Sequence, residues 1–435
     1  MHRRVAEVLR DKFADAAVAE PELLAHHFTQ AGLTEAAIEW WGRAGQRSLE
    51  RSALVEAAAQ LTRALDQIET LPATPALRRE QIKLQVALIT PIIHIKGYAA
   101  PETKAAAERA RLLIEQAEAL GEPAEDPLLL FSVLYGFWVA NYVAFNGDAM
   151  RNFAGQFLAL ALYDPRAHRP LATRFGQDHR VSVLAFRSLA LWLLGYPESA
   201  LADSDQALRD AREIGQAATL MFALLIASLY THVPCGNFAI ASAELDELDA
   251  LADEKGTLFW KVGGIPVRGC VFALTGKASD AVHVLTSGIT AFRSTGATVW
   301  MPFFLSCLAR AHSDLGKFDD AWRCIGEAMT AIETTKERWC EAEVNRMAGD
   351  IALMAAEPDA AKAEAYFDRA LALAREQQAK SWELRAAMSM ARLWRDQGKR
   401  DEARDLLAPV YSWFTEGFDT LDLKEAEALL KALAA

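Results

Sequence analysis

A turn pattern that recurs about every 40 residues constrains the fold of this chain more than any other feature of its sequence. Each copy has a turn residue, followed five, nine and twelve positions later by small or apolar residues. Glycine tolerates the backbone angles of a tight turn, and the small residue after it lets a second helix approach the first closely. The copies begin at Gly195, Gly236, Gly276, Gly316, Pro358 and Gly398, although the copy at Gly236 also allows a register shifted by one residue.

Copies in register predict stacked antiparallel helix pairs rather than a set of unrelated amphipathic helices. One such pair cannot bury its own apolar face, so neighbouring pairs have to stack to form a core. We therefore expect an all-α fold, a right-handed TPR-like (tetratricopeptide-repeat-like) α-solenoid. TPR units normally have about 34 residues, so the longer period predicts helices lengthened by most of a turn.

Composition supports this fold and excludes several functions. Hydrophobic residues make up 52% of the chain and charged residues 24%, which is typical of a core-forming protein. The net charge of −12 argues against nucleic acid as a partner, because phosphate binding needs clustered Lys and Arg. The five cysteines include no C-x-x-C pair, so we interpret them as small buried side chains in a reducing compartment. We expect a cytoplasmic protein, since no secretion signal is apparent at the N-terminus.

The N-terminal part follows the pattern less regularly. Copies at Gly32 and Ser52 lie only 20 residues apart, which predicts three successive helices that share the segment Thr34–Leu49. Two prolines, Pro72 and Pro75, then break the helical pattern. We therefore expect a helical leader over 1–70 and the solenoid over 76–435.

One apolar stretch could be interpreted in two ways. Pro127–Gly147 carries no charge and is long enough to cross a bilayer. Its flanks are acidic, however, and lack the Lys/Arg cluster that orients a membrane span. We expect a helix buried within the array and no membrane partner.

Several segments resemble the C-terminal TPR region of large bacterial signalling proteins. The resemblance is carried by Leu162–Leu208, by IKGYAAPETKAAAERAR and by the ending SWELRAAMSMARLWRDQGKRDEARDLL. In that family a class III adenylate/guanylate cyclase domain precedes an AAA (STAND-type) ATPase and then the repeats. The N-terminal segment PELLAHHFTQAGLTEAAIEWWGRAG resembles the junction between the ATPase module and the repeats. Relative to the family, this chain lacks one helix pair near Ala161. The cyclase and ATPase modules have no counterpart here, so no catalytic residue carries over.

Motifs for chemistry are absent from the sequence. Gly-Lys occurs at Gly276, Gly316 and Gly398, but each copy lacks the upstream glycine and the Ser/Thr of a phosphate loop. His26 and His27 favour packing or capping over metal ligation, and His312 falls at a core position. We expect no enzyme activity on this chain, no ATP binding, no cofactor and no metal.

The concave face is the candidate site. In this class of repeat the first helix of each pair lines the groove, and several arginines fall at its positions. The face predicts binding of a protein or acidic peptide, against the alternative of a solvated face without a ligand. The predicted groove residues are Arg310, Arg346, Arg385, Arg392, Arg395, Phe303, Met388 and Trp192.

The resulting functional prediction is a non-catalytic sensor or scaffold arm for signal transduction. Its partner would be a protein or peptide, including cyclase or ATPase modules on another chain. Two alternatives stay open: part of an adenylate cyclase or ATP-binding enzyme whose catalytic modules lie outside this chain, and the arm of a transcriptional regulator. Trp40 and Trp41, near the ATPase-like junction, mark a second contact region.

Overall fold

The computed structural model describes residues 1–51, 53–96, 100–122, 178–355 and 357–434. These residues form helices and connections, and no strand occurs among them. The chain divides into two compact units. The first comprises Met1–Ala140 with Ser294–Val299, and the second comprises Asn141–Arg293 with Trp300–Ala435.

Seven helices are described in the first unit. They confirm the three successive helices expected around the shared segment, and their apolar faces enclose Phe28, Trp41 and Leu61. The helices are α1 (His2–Lys12), α2 (Ala14–Ala19), α3 (Pro21–Gln30), α4 (Thr34–Glu50), α5 (Leu54–Ile68), α6 (Pro75–Lys96) and α7 (Pro101–Ala119).

The proline break separates α5 from α6, and both helices belong to the first unit. The boundary between a leader over 1–70 and a solenoid over 76–435 therefore stays a prediction. The apolar stretch Pro127–Gly147 and the missing helix pair near Ala161 lie outside the described residues. Among the helices that are described, none is both long and apolar enough to cross a membrane.

From residue 178 onward, the described part of the second unit consists of helix pairs followed by one further helix. Its helices are α8 (His179–Leu193), α9 (Pro197–Ile214), α10 (Ala217–Ala227, continued by a π-helical turn over Ser228–His232), α11 (Phe238–Lys255), α12 (Leu258–Leu274), α13 (Ala278–Ser294), α14 (Met301–Asp314), α15 (Phe318–Thr335), α16 (Glu341–Met354), α17 (Ala360–Glu376), α18 (Lys380–Asp396), α19 (Arg400–Ser412) and α20 (Leu421–Ala434).

The repeat prediction is confirmed in this unit. All five marker glycines have positive φ and lie in turns between paired helices. The register at Gly236 is not shifted, since Ala241, Leu245 and Leu248 are fully buried. Helices of 17 or 18 residues, such as α9, α11 and α13, account for the long period. The protein is a TPR-like α-solenoid.

Candidate binding surface

The first helices of the pairs form the inner layer of the second unit. Each contacts the next along the series α8, α10, α12, α14, α16 and α18, and α8 also contacts α18. Among the described residues the inner layer therefore closes on itself, so the pair of α18 and α19 touches the pair of α8 and α9.

Aromatic side chains fill this inner layer. The ring of Trp192 lies 4.6 Å from that of Trp382, and Phe303 lies 5.4 Å from Trp339. Of the predicted groove residues, Trp192, Phe303 and Met388 are 2%, 3% and 2% exposed. The structure thus places these three residues in the core and not on an open groove, because the facing helices of the inner layer pack their large side chains together.

Three of the predicted arginines lie at the surface. The side chains of Arg310, Arg392 and Arg395 are 37%, 41% and 37% exposed. Arg310 pairs with Asp314, Arg392 with Glu425 and Arg395 with Asp396, at 3.1, 2.8 and 2.8 Å. Exposed pairs of this kind contribute only about 0–1 kcal/mol each, so an incoming carboxylate can exchange with them.

The other two arginines belong to a buried charge network. Arg346 donates Nε and Nη2 to both oxygens of Glu343, at 2.7 and 2.8 Å. Arg385 contacts the same carboxylate at 3.5 Å and donates to Asp422 at 2.8 Å. The network therefore connects α16, α18 and the start of α20.

The pKa shifts in this network follow from burial and from the arginines. Burial alone would raise the pKa of Glu343, but attraction and hydrogen bonds from Arg346 and Arg385 outweigh it and hold the pKa below its usual value. Burial raises the pKa of Asp422, against the opposing influence of Arg385. Glu343 is thus the buried carboxylate that Arg346 and Arg385 share.

A non-helical connection over 413–420 completes the closure, and we call Trp413–Asp422 the closing segment. Its Glu416 accepts hydrogen bonds from the backbone N–H and the hydroxyl of Ser199, at 2.8 and 2.9 Å. Its Trp413 packs edge-on against Tyr196 with ring centroids 5.5 Å apart. The segment thereby covers the turn between α8 and α9.

The turn glycine Gly195 offers a test of this packing. A Cβ at Gly195, where φ is +91°, would lie 2.5 Å from the Trp413 ring and 2.9 Å from Cβ of Lys380. A Cβ at Gly276, where φ is +78°, would meet nothing within 4 Å. Both alanine variants incur the strain of a left-handed backbone, about 1–2 kcal/mol. We expect Gly195→Ala to lower the free energy of unfolding by about 1–2 kcal/mol more than Gly276→Ala, because only Gly195→Ala overpacks a neighbour. Equal losses in urea titrations of the two variants would contradict the packing.

A carboxyl group also lies within the aromatic core. Glu337 is fully buried and accepts hydrogen bonds from the backbone N–H of Trp300, at 3.1 and 3.0 Å, and from Nε1 of Trp339, at 2.8 Å. Burial raises its pKa to about 7, although these hydrogen bonds oppose the shift. All three contacts come from neutral donors, which explains why the pKa stays high.

The cysteines are buried as predicted, whereas the histidines lie in two different settings. His26 and His27 form a ring cluster with His2, whose Nδ1 lies 2.8 Å from Nδ1 of His27. His312 is buried, and burial lowers its pKa. All five cysteines are free and buried. Within the described ranges, no group of three or more His, Cys, Asp or Glu side chains is arranged to hold a metal ion.

Comparison with known sequences gives one distant relative. No protein-family model matches the chain. The chain is similar to an uncharacterized protein of Rhizobium meliloti (strain 1021), with 23% identity over 395 residues. The match covers 80% of this chain and 36% of that protein, so the chain spans about a third of the relative's length.

Solved structures support the fold. The chain is similar to the Rap protein complexed with Competence and Sporulation Factor, at a TM-score of 0.57 and 10% identity, covering 91% of this chain and 99% of that one. A Pyrococcus horikoshii STAND protein with a tetratricopeptide repeat sensor matches at a TM-score of 0.41 and 11% identity, over 88% of this chain and 55% of that one. The first likeness is to a helical protein of nearly the same extent, and the second is too weak to support an argument.

Proposed function

We propose that this chain is a non-catalytic regulatory arm, a sensor or scaffold that binds an acidic protein or peptide partner through the inner side of its second unit. The observation that carries the proposal is that two inner-layer arginines, Arg346 and Arg385, already hold carboxylates of the chain itself. The solenoid fold supports it, and the Rap protein of similar fold is complexed with Competence and Sporulation Factor.

In the proposed complex, Arg310, Arg392 and Arg395 contact the partner. Each exchanges its exposed carboxylate for one of the partner's, while Arg346 maintains the scaffold through Glu343. Guanidinium groups suit this role, because their forked donors match a carboxylate. The apolar residues Trp192, Phe303 and Met388 act from the core, by fixing the helices that carry the arginines.

The proposed setting is a larger signalling architecture with cyclase and ATPase modules, on the same or another chain. The distant relative is about three times as long as the matched region, which supports a multidomain context. In such an architecture the arm senses or recruits the partner, while the chemistry belongs to the other modules.

Binding through the arginines is tested with a partner recovered by pull-down, identified and purified. We expect Arg310→Ala/Arg392→Ala/Arg395→Ala to weaken its binding about tenfold at low salt, because three exposed pairs contribute about 0–1 kcal/mol each. The difference should shrink at high salt, since screening acts first on exposed charges. Arg323→Ala, which removes an exposed arginine paired with Asp320 on the outer helix α15, is the control. Equal affinity of the triple variant and the native chain at both salt levels would exclude this surface.

A further inference from the structure

We propose that the closing segment is a tethered peptide ligand of the second unit, and that a partner peptide of the same acidic and aromatic chemistry binds by displacing it. This inference rests on the proposed function and specifies its ligand. The surface that receives the segment consists of Tyr196, Pro197 and Ser199, the turn around Gly236, and Arg385.

The length of the connection is the first argument. The connections that lead from one pair to the next have two to six residues, at 215–216, 256–257, 295–300, 336–340 and 377–379. The connection between α19 and α20 has eight residues, at 413–420. Antiparallel helices need only a short connection, so the additional residues are available to lie across another part of the unit.

The first carboxylate site is the N-terminus of α9. Glu416 occupies it through the backbone N–H and the hydroxyl of Ser199. The N-terminus of an 18-residue helix offers unpaired N–H groups and a favourable dipole for an anion. The carboxylate seated there shows that this site accepts an acidic side chain from a chain segment.

The second carboxylate site is Arg385. Its Nε donates to Asp422, and its Nη2 donates to the carbonyl oxygen of Pro234 at 2.8 Å. Its guanidinium lies 5.3 and 5.1 Å from the ring centroids of Trp192 and Trp382, where cation–π attraction holds it in place. Two fixed sites thus bind carboxylates that are six positions apart in the segment.

Between the two carboxylate sites, the closing segment packs so tightly against the rest of the unit that few side chains fit in its place. A Cβ at Gly417 would lie 2.3 Å from Cγ of Pro197, so only glycine fits after the glutamate. On the receiving side, a Cβ at Gly236 would lie 2.6 Å from Cβ of Leu421. The fitting ligand therefore has an aromatic residue, Glu-Gly three positions later, and Asp five positions after the glycine.

Partial exposure makes the segment displaceable. The side chains of Trp413 and Phe418 are 37% and 47% exposed, unlike the buried tryptophans of the inner layer. The carboxylates of Glu416 and Asp422 are bound by Ser199 and Arg385, and these two residues can bind the carboxylates of a second peptide equally well. Phe414 of the same segment is only 5% exposed and belongs to the hydrophobic core, so a competing ligand has to supply an aromatic residue at this position as well.

A labelled peptide of residues 411–424, YSWFTEGFDTLDLK, tests this in trans. Its binding is measured by fluorescence anisotropy to the native chain and to Glu416→Gln/Asp422→Asn, which loosens the tethered copy. We expect at least about tenfold tighter binding to the loosened chain, because a tethered segment competes at an effective concentration on the order of millimolar. Asp401→Asn/Asp405→Asn, which removes two exposed carboxylates of α19, should bind like the native chain.

Hydrogen exchange of the native chain gives a second measurement that needs no variant. Saturating peptide should speed amide exchange over 413–422, and a peptide with Gln and Asn in place of its Glu416 and Asp422 equivalents should not. Equal peptide binding by the native and loosened chains, or no saturable binding to either, would overturn the inference. Either outcome leaves the proposed function standing if Arg310→Ala/Arg392→Ala/Arg395→Ala still loses the partner. A triple variant with native affinity would reject the proposed function, whatever the peptide does.

Discussion

Replacing Arg346 by leucine is expected to lower the free energy of unfolding by about 3–5 kcal/mol. Arg346 makes the bidentate contact to Glu343, whose side chain is 1% exposed, and it also pairs with Asp350. The leucine leaves a buried carboxylate with only the 3.5 Å contact from Arg385. An ion that loses its partner inside a protein retains the cost of its desolvation, which is why the expected loss is large.

Arg310→Leu provides the matched control for this experiment. Arg310 lies on the preceding inner helix, and its contact with Asp314 is exposed to solvent. Its replacement is expected to cost about 0–1 kcal/mol. Urea unfolding followed by circular dichroism gives both values, and similar losses for the two variants would show that the Glu343 network is not buried as described.

Stability should fall as the pH rises from about 4.5 to about 7, through the titration of Glu337. Its pKa is about 7 in the folded protein, against a usual value of 4.5, so the folded state binds this proton more tightly than the unfolded chain does. The stabilisation from the protonated Glu337 is complete below the pKa that this group has in the unfolded chain. It is lost as the pH rises through the pKa that the group has in the folded protein. At about 1.4 kcal/mol per pKa unit, the loss comes to about 3 kcal/mol.

Glu337→Gln should remove this dependence, because the amide keeps a carbonyl acceptor but does not ionise. The quantity to compare is the change in unfolding free energy between pH 5 and pH 8, since a constant offset from repacking then cancels. Glu376→Gln, at a carboxylate that is 61% exposed, is the control and should keep the native slope. If the unfolding free energy of Glu337→Gln changes with pH as much as that of the native protein, another group dominates the titration.

The local pattern of the sequence predicts the repeats well. A small residue five positions after a turn glycine makes its contact within one helix pair. A window of about 20 residues is therefore enough to predict that contact. Ala200, Ala281, Ala321 and Ala403 are all fully buried as a result. Helix lengths, turn positions and the core tryptophans follow from the same local periodicity.

The accessibility of the candidate site could not be predicted in this way. Periodicity indicates which face of α18 is inward, but the curvature that brings α18 against α8 depends on every intervening pair. Arg385 therefore becomes part of a network with Asp422 and Pro234, while Arg392, two turns further on, stays exposed. The contact between Ser199 and Glu416 spans 217 residues and has no local signal.

Glu337 shows a second limit of sequence reasoning. It lies in the charged stretch Lys336-Glu337-Arg338, which is typical of a solvated connection. Lys336 adopts φ of +60°, a left-handed conformation that turns the chain and directs the next residue inward. A left-handed backbone conformation is unexpected at a lysine. The burial of the Glu337 carboxyl could therefore not be inferred from the sequence.

The span between Ser199 and Glu416 also has a consequence for synthesis. A ribosome adds about 5–20 residues per second, so about 10–40 s separate the emergence of these two partners. During that interval α8 and α9 exist without α18 and the closing segment, and the edge of α8 that carries Trp192 is uncovered. The early pairs therefore depend on stacking against one another, and the aromatic edge of α8 stays open until α18 and the closing segment have left the ribosome.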